Sequence, residues 1–125
     1  MKPDTENWVR LADEDLRVAK VGFESSLFRP CVFHCQQALE KLLKAVWIER
    51  ASEGLPRRTH DLVGLADELQ LELADGWVEF LRRLSEQYMP SRYGDVPVVE
   101  ISRESAENYL RRTEEIFAWL LKLLN

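Results

Sequence analysis

Three groups of residues in this 125-residue chain carry side chains whose types and spacing suit chemistry. The first is His34, Gln37, Lys41 and Lys44, which recur every three or four residues and so share one side of a helix. An imidazole, an amide and two ammonium groups on one strip could line a groove for a nucleotide or RNA, and His34 is the member whose type can exchange a proton near neutral pH. A merely solvated helix face would show the same spacing. The second group is Arg92, Tyr93 and Asp95, in a stretch interrupted by Pro90, Gly94 and Pro97. Arg92 could grip a phosphate with its planar fork, and Tyr93 could stack on a base or donate its hydroxyl. Alternatively, Arg92 pairs with Asp15 or Glu40 and locks the stretch onto the rest of the protein. The third group is structural in character. Asp15 sits inside an apolar stripe, where a carboxylate needs a cation or several donors to offset its desolvation. His60, between Thr59 and Asp61, reads as a cap or a loop anchor. Cys31, His34 and Cys35 are neighbours on one predicted helix, but one helix turn seldom supplies three tetrahedral zinc ligands, so the thiols read as core groups. Neither a metal nor a cofactor is expected.

These residues need elements to hold them. The central one is a predicted helix from about Pro30 to Ala51, roughly 30 Å long. Val32, Cys35, Leu39, Leu42, Leu43 and Val46 form its core side, with the polar strip opposite and Phe33, Trp47 and Ile48 beside that strip. Before it, Thr5 to about Glu24 reads as a helix with Trp8, Leu11, Ala12, Leu16, Ala19 and Phe23 on its apolar stripe. After Gly54 and Pro56 break the chain, Thr59 or Asp61 can cap a short helix carrying Leu62, Leu65, Ala66 and Leu69. Asp75 can cap a fourth, with Trp77, Phe80, Leu81, Leu84 and Tyr88 on its apolar side. The last starts near Ser102 and continues its stripe to Leu124. No segment alternates with a period of two, so no sheet is expected. The fold class is all-α: an antiparallel, up-and-down bundle of four to five helices, in one domain over residues 1–125.

Totals narrow the function. A hydrophobic content of 46% and a charged content of 31% belong to a globular chain or a helical bundle. A formal charge of -5 is unsuited to coating duplex DNA, although a local basic pocket is compatible with it. No apolar run is long enough for a membrane span and no signal-peptide pattern opens the chain, so a cytoplasmic location without membrane partners is expected.

Four motifs then carry a resemblance. Leu11-Ala12-Asp13-Glu14-Asp15-Leu16-Arg17-Val18-Ala19 is similar to an A-x-x-D-L-x-x-A opening. Phe33-His34-Cys35-Gln36-Gln37-Ala38-Leu39-Glu40-Lys41-Leu42-Leu43-Lys44-Ala45 resembles the signature F-H-x-Q-Q-A-x-E-K-x-L-K-A. Thr59-His60-Asp61-Leu62 matches T-H-D-L, and Ser91-Arg92-Tyr93-Gly94-Asp95 resembles x-R-Y-x-D. All four belong, in this order, to the HEPN domain, the higher eukaryotes and prokaryotes nucleotide-binding domain, and they span nearly the whole chain. The resemblance implies a helical bundle that often forms homodimers. It also implies a nucleotidyltransferase partner and membership of a toxin–antitoxin pair.

Some members of that family are metal-independent ribonucleases marked by Arg, four to six residues, then His. Counting from Arg92, the histidine positions hold Pro97, Val98 and Val99. Arg29 and His34 have the spacing but fall where the resemblance puts a different motif. The expectation is therefore a nucleotide- or RNA-binding helical module. The alternatives are an RNA-cleaving toxin, with His34 or Tyr93 replacing the missing histidine, and a dimer whose polar groups only satisfy one another.

Overall fold

The computed structural model describes residues 1–88 and 100–125. Five helices follow in order: α1 (Pro3–Glu24), α2 (Phe28–Arg50), α3 (Leu62–Glu68), α4 (Trp77–Glu86) and α5 (Arg103–Leu124). There is no strand among the described residues, as the absence of period-two alternation predicts. The Arg92 stretch, with Tyr93 and Asp95, lies outside the described residues.

α2 is the axis of the bundle and packs against α1, α3, α4 and α5. Its buried positions run from Cys31 to Val46, and they include Val32, Cys35, Leu39, Leu42 and Leu43 from the predicted core side. α1 runs back along it. The Lys2 amide donates to Glu49 Oε1 at 3.0 Å, and Lys2 Nζ donates to the Ile48 and Ala51 carbonyls at 2.9 and 2.6 Å. A lysine thus closes the C-terminal end of α2, where helix carbonyls lack partners and a positive charge is favoured. The Lys2 N–H in turn holds the Glu49 carboxyl below its ordinary value.

At the other end the chain reverses within three residues. Gly22 makes the corner possible, because a Cβ there would lie 3.3 Å from both Cys31 N and Leu27 O. Ser26 takes the left-handed conformation at φ 59°. Ala12 and Ala19 on α1 and Ala38 and Ala45 on α2 are fully buried, and side chains this small keep the two helices close.

α5 begins beside this corner. The Arg103 guanidinium lies 5.3 and 5.1 Å from the Phe23 and Phe28 ring centres and donates to Ser26 Oγ at 2.8 Å. Ser102 caps α5 by accepting from the Ser105 N–H at 3.1 Å, as its type suggests. α4 packs against α5 through the Trp77–Trp119 and Phe80–Tyr109 ring pairs.

Several boundaries differ from the predicted ones. α1 begins two residues before Thr5, with Pro3 in its first turn. α2 begins at Phe28, making Pro30 its third residue, a position whose amide would lack an intrahelical acceptor in any case. The N-cap of α4 is Gly76 at φ 83°, one residue beyond Asp75. Asp61 is the N-cap of α3, but its side chain accepts no capping bond; instead its own N–H is received by Thr59 Oγ at 3.1 Å.

Candidate functional site

The polar strip of α2 is not a row of solvated side chains, and the carboxylates between and beside its members explain why. Asp15, on α1, is 8% exposed. Its Oδ1 lies 2.8 Å from His34 Nδ1 and its Oδ2 accepts from Lys41 Nζ at 2.5 Å. The carboxylate in the apolar stripe of α1 therefore meets one cation and one imidazole, both from α2.

Glu40 does the equivalent on the other flank. It is 5% exposed. Its Oε1 accepts from Gln36 Nε2 at 3.0 Å and lies 2.7 Å from His60 Nδ1, while Oε2 accepts from Lys44 Nζ at 3.0 Å. Gln36, wholly buried, also donates to the His60 carbonyl at 3.1 Å and accepts from Gln37 Nε2 at 2.7 Å. A buried carboxylate with three donors and a buried amide are fully engaged, which is the condition for keeping them inside.

Lys44 corrects the solvent-face reading. It is 8% exposed, held between Glu40 and the Trp8 ring, whose centre is 5.9 Å from Nζ. Lys41 and His34 are half-buried and tilted toward α1. At 100° per residue Gln37 falls midway between the His34–Lys41 edge and the Glu40–Lys44 edge, so it forms the floor of the strip. Two ammonium groups are matched by two carboxylates. Among the described residues the strip is therefore not a cationic patch but a neutral, strongly dipolar surface.

Two carboxylate–imidazole pairs result, Asp15–His34 and Glu40–His60. In each, Nδ1 faces the carboxylate, so Nε2 is on the far side of the ring. A carboxylate at Nδ1 fixes the tautomer and leaves Nε2 to accept or relay a proton. Aromatic rings link the pairs. Phe33 meets His34 edge-on at 5.2 Å and lies nearly parallel to Tyr88 at 5.8 Å, and Tyr88 stacks on His60 at 3.7 Å.

Arg92, Tyr93 and Asp95 fall outside the described residues, so the pairing of Arg92 with Asp15 or Glu40 does too. His60, predicted to be a cap or loop anchor, ties the α2–α3 connection to Glu40. Gln36 escaped the sequence reading, although its place between Cys35 and the core positions Val32, Leu39 and Leu43 could have marked it as a buried amide. Tyr88 was expected on the apolar side of α4 and instead sits just past its end, between His60 and Phe33. Cys31 and Cys35 are both fully buried. Among the described residues no three His, Cys, Asp or Glu side chains are gathered as a metal would need. None of the described helices is long and apolar enough to cross a membrane.

Comparison with known proteins places the fold and the family. The chain is 30% identical to a curated protein of Methanocaldococcus jannaschii named "Putative toxin MJ1304", over 87% of this chain and 80% of that one. The fold is similar to the crystal structure of TT1696 from Thermus thermophilus, with a TM-score of 0.84 at 25% identity over 98% of this chain and 99% of the other. It is also similar to ST0689, described as an archaeal HEPN homologue, with a TM-score of 0.78 at 23% identity over the full length of both. The HEPN domain profile matches residues 5–124, which takes in both carboxylate–imidazole pairs, the ring stack and nearly all of the five helices, and the chain belongs to the HEPN domain family.

Proposed function

We propose that this HEPN protein is a nucleotide- or RNA-binding helical module that self-associates as a homodimer in the cytoplasm and acts with a nucleotidyltransferase partner in a toxin–antitoxin-type pair. The observation that carries the reading is the α2 face. Half-exposed His34, Gln37 and Lys41 lie beside the Phe33–Tyr88–His60 stack, so hydrogen-bonding groups and ring faces border one surface. Single-stranded nucleic acid is bound by such combinations of polar groups and stacking rings. The toxin name of the relative and the family's range point the same way. Arg92, Tyr93 and Asp95 complete the candidate set by sequence, with Arg92 as the phosphate contact. Thermal-shift titration with ATP and GTP, together with RNA retention at low salt, tests the reading, since a ligand that binds the folded state raises its melting temperature. Solution mass tests the dimer. Absence of both shift and retention would overturn the binding reading.

A second reading is favoured by the Asp15–His34 pair at 2.8 Å. An imidazole oriented by a carboxylate is the recurring base of hydrolytic sites. On this reading the protein is a metal-independent ribonuclease toxin: His34 takes the proton of the 2′-hydroxyl as its oxygen bonds to phosphorus, the P–O5′ bond breaks, the leaving 5′-oxygen takes a proton from water, and Arg92 stabilises the phosphate. RNA cleavage lost in both His34→Ala and Arg92→Ala supports it. Cleavage that survives either substitution removes the role assigned to that residue.

A further inference from the structure

Phe33, Tyr88 and His60 succeed one another with interplanar angles of 26° and 20°, and among the described residues the run stops at His60, whose side chain is 48% exposed. The residue is tied down twice. Buried Glu40 faces its Nδ1 at 2.7 Å, and buried Gln36 donates to its carbonyl at 3.1 Å. A half-open ring that is already fixed in place loses little freedom when another flat ring is laid against it.

Beside His60 and Tyr88 is an open cavity of about 300 Å³ whose lining is almost wholly apolar. Little in it can read the edge of a ligand. The Ser85 hydroxyl is committed within the fold, donating to the Leu81 carbonyl at 2.9 Å and accepting from the Leu62 N–H at 3.0 Å. Arg82 donates to Glu79 through Nη1 and keeps its other N–H groups in a side chain that is 56% exposed. The exposed carboxylates of Asp61 and Glu86 offset its charge, so contact with the rings, more than net charge, has to hold an occupant. A surface of this kind grips the face of a base and leaves its identity unread, because every base has such a face. Through Tyr88 and Phe33 it is continuous with His34 and the α2 face.

We propose that the His60 ring and the cavity beside it form a stacking platform for a base of single-stranded RNA, tolerant of which base it is. The occupant is a strand, since one stacked base gives a weak hold and the adjoining α2 face supplies the rest. The inference rests on the nucleotide- or RNA-binding reading above and adds where a base is held and that its edge is not read.

The test is a titration of the full chain with all-adenine, all-cytosine and all-uracil hexaribonucleotides and with AMP, followed by anisotropy competition and by proton NMR. The chain has two histidines, so the His60 imidazole signals are identified by their loss in His60→Phe. The ring current of a stacked adenine is expected to move those signals upfield as the all-adenine hexamer saturates the wild type. The three hexamers are expected to bind within about tenfold of one another. His60→Leu should weaken each about tenfold, and His60→Phe, which keeps a flat ring, about threefold or less. Thermal melts verify folding, and the NMR shift is read on the wild type, so it decides the matter even where the leucine variant does not fold. AMP is expected to bind more weakly than the all-adenine hexamer, and equal affinity would overturn the strand as occupant. Hexamer binding without a shift of the His60 signals, or a preference among the hexamers beyond about tenfold, would overturn the inference while leaving the binding reading standing. No binding of any of the four ligands would overturn both.

Discussion

Asp15 shows how one carboxylate joins two helices. It lies in the apolar stripe of α1, yet its two oxygens are divided between Lys41 and His34 of α2. Asp15→Ala removes both bonds and leaves Lys41 without its counter-charge in a half-buried place, a loss expected to be about 2 kcal/mol in a urea melt. Asp13→Ala is the contrast. Its bond to Arg17 at 3.2 Å is more than half exposed on both sides, and under about 0.5 kcal/mol is expected. Glu40→Ala should cost more than Asp15→Ala, about 3 kcal/mol or more, because it strands the buried Lys44 and Gln36 together. An equal effect for Asp13 and Asp15 would contradict this ranking. The need of Asp15 for a cation was legible in the sequence, since a carboxylate on an apolar stripe is locally inconsistent. The burial of Lys44 was not. Its neighbours along the helix are those of an exposed lysine, and Trp8, far earlier in the chain, is what packs over its ammonium group.

At the scale of elements, helical periodicity accounts for most of what the sequence disclosed. α1, α2 and α5 each carry an apolar stripe several turns long, and the Ser102 cap was readable from residue type. What periodicity misses are ends and corners. Gly76, not Asp75, starts α4 because the chain there turns through a positive φ that glycine adopts without strain. The α1–α2 corner depends on Gly22, which nothing local marks as special. Gly22→Ala gains helix propensity but drives a methyl group against two backbone atoms at 3.3 Å, neither of which belongs to a side chain that can swing away. A net destabilisation of about 1 kcal/mol is expected by thermal melt. Stabilisation would mean that the corner opens easily and that α1 is not held as described.

For the whole molecule, α2 separates a core from a polar surface. On the core side, Cys31 and Cys35 are fully buried, and the Cys35 thiol is pushed well above the ordinary cysteine value by its neighbour Cys31 and by burial. Neither should react with a disulfide reagent in the native protein at about pH 8, and both should react once it is unfolded. Rapid native labelling would contradict the packing of α2 against the bundle. On the polar side, the carboxylates of Asp15 and Glu40 neutralise Lys41 and Lys44. The sequence could display a strip of cations but not the pairing of Lys41, because its partner Asp15 comes from α1. The proposed binding on this face therefore draws on hydrogen bonds and stacking more than on net charge. The most direct measurement is fluorescence-anisotropy titration of a labelled single-stranded RNA at low salt, with wild type, His34→Ala and Gln37→Glu compared after each has been shown to melt cooperatively. Saturable binding by the wild type, weakened about tenfold by each substitution, is the expected result. No binding, or equal affinity in all three proteins, would contradict the assignment of the α2 face as the binding surface.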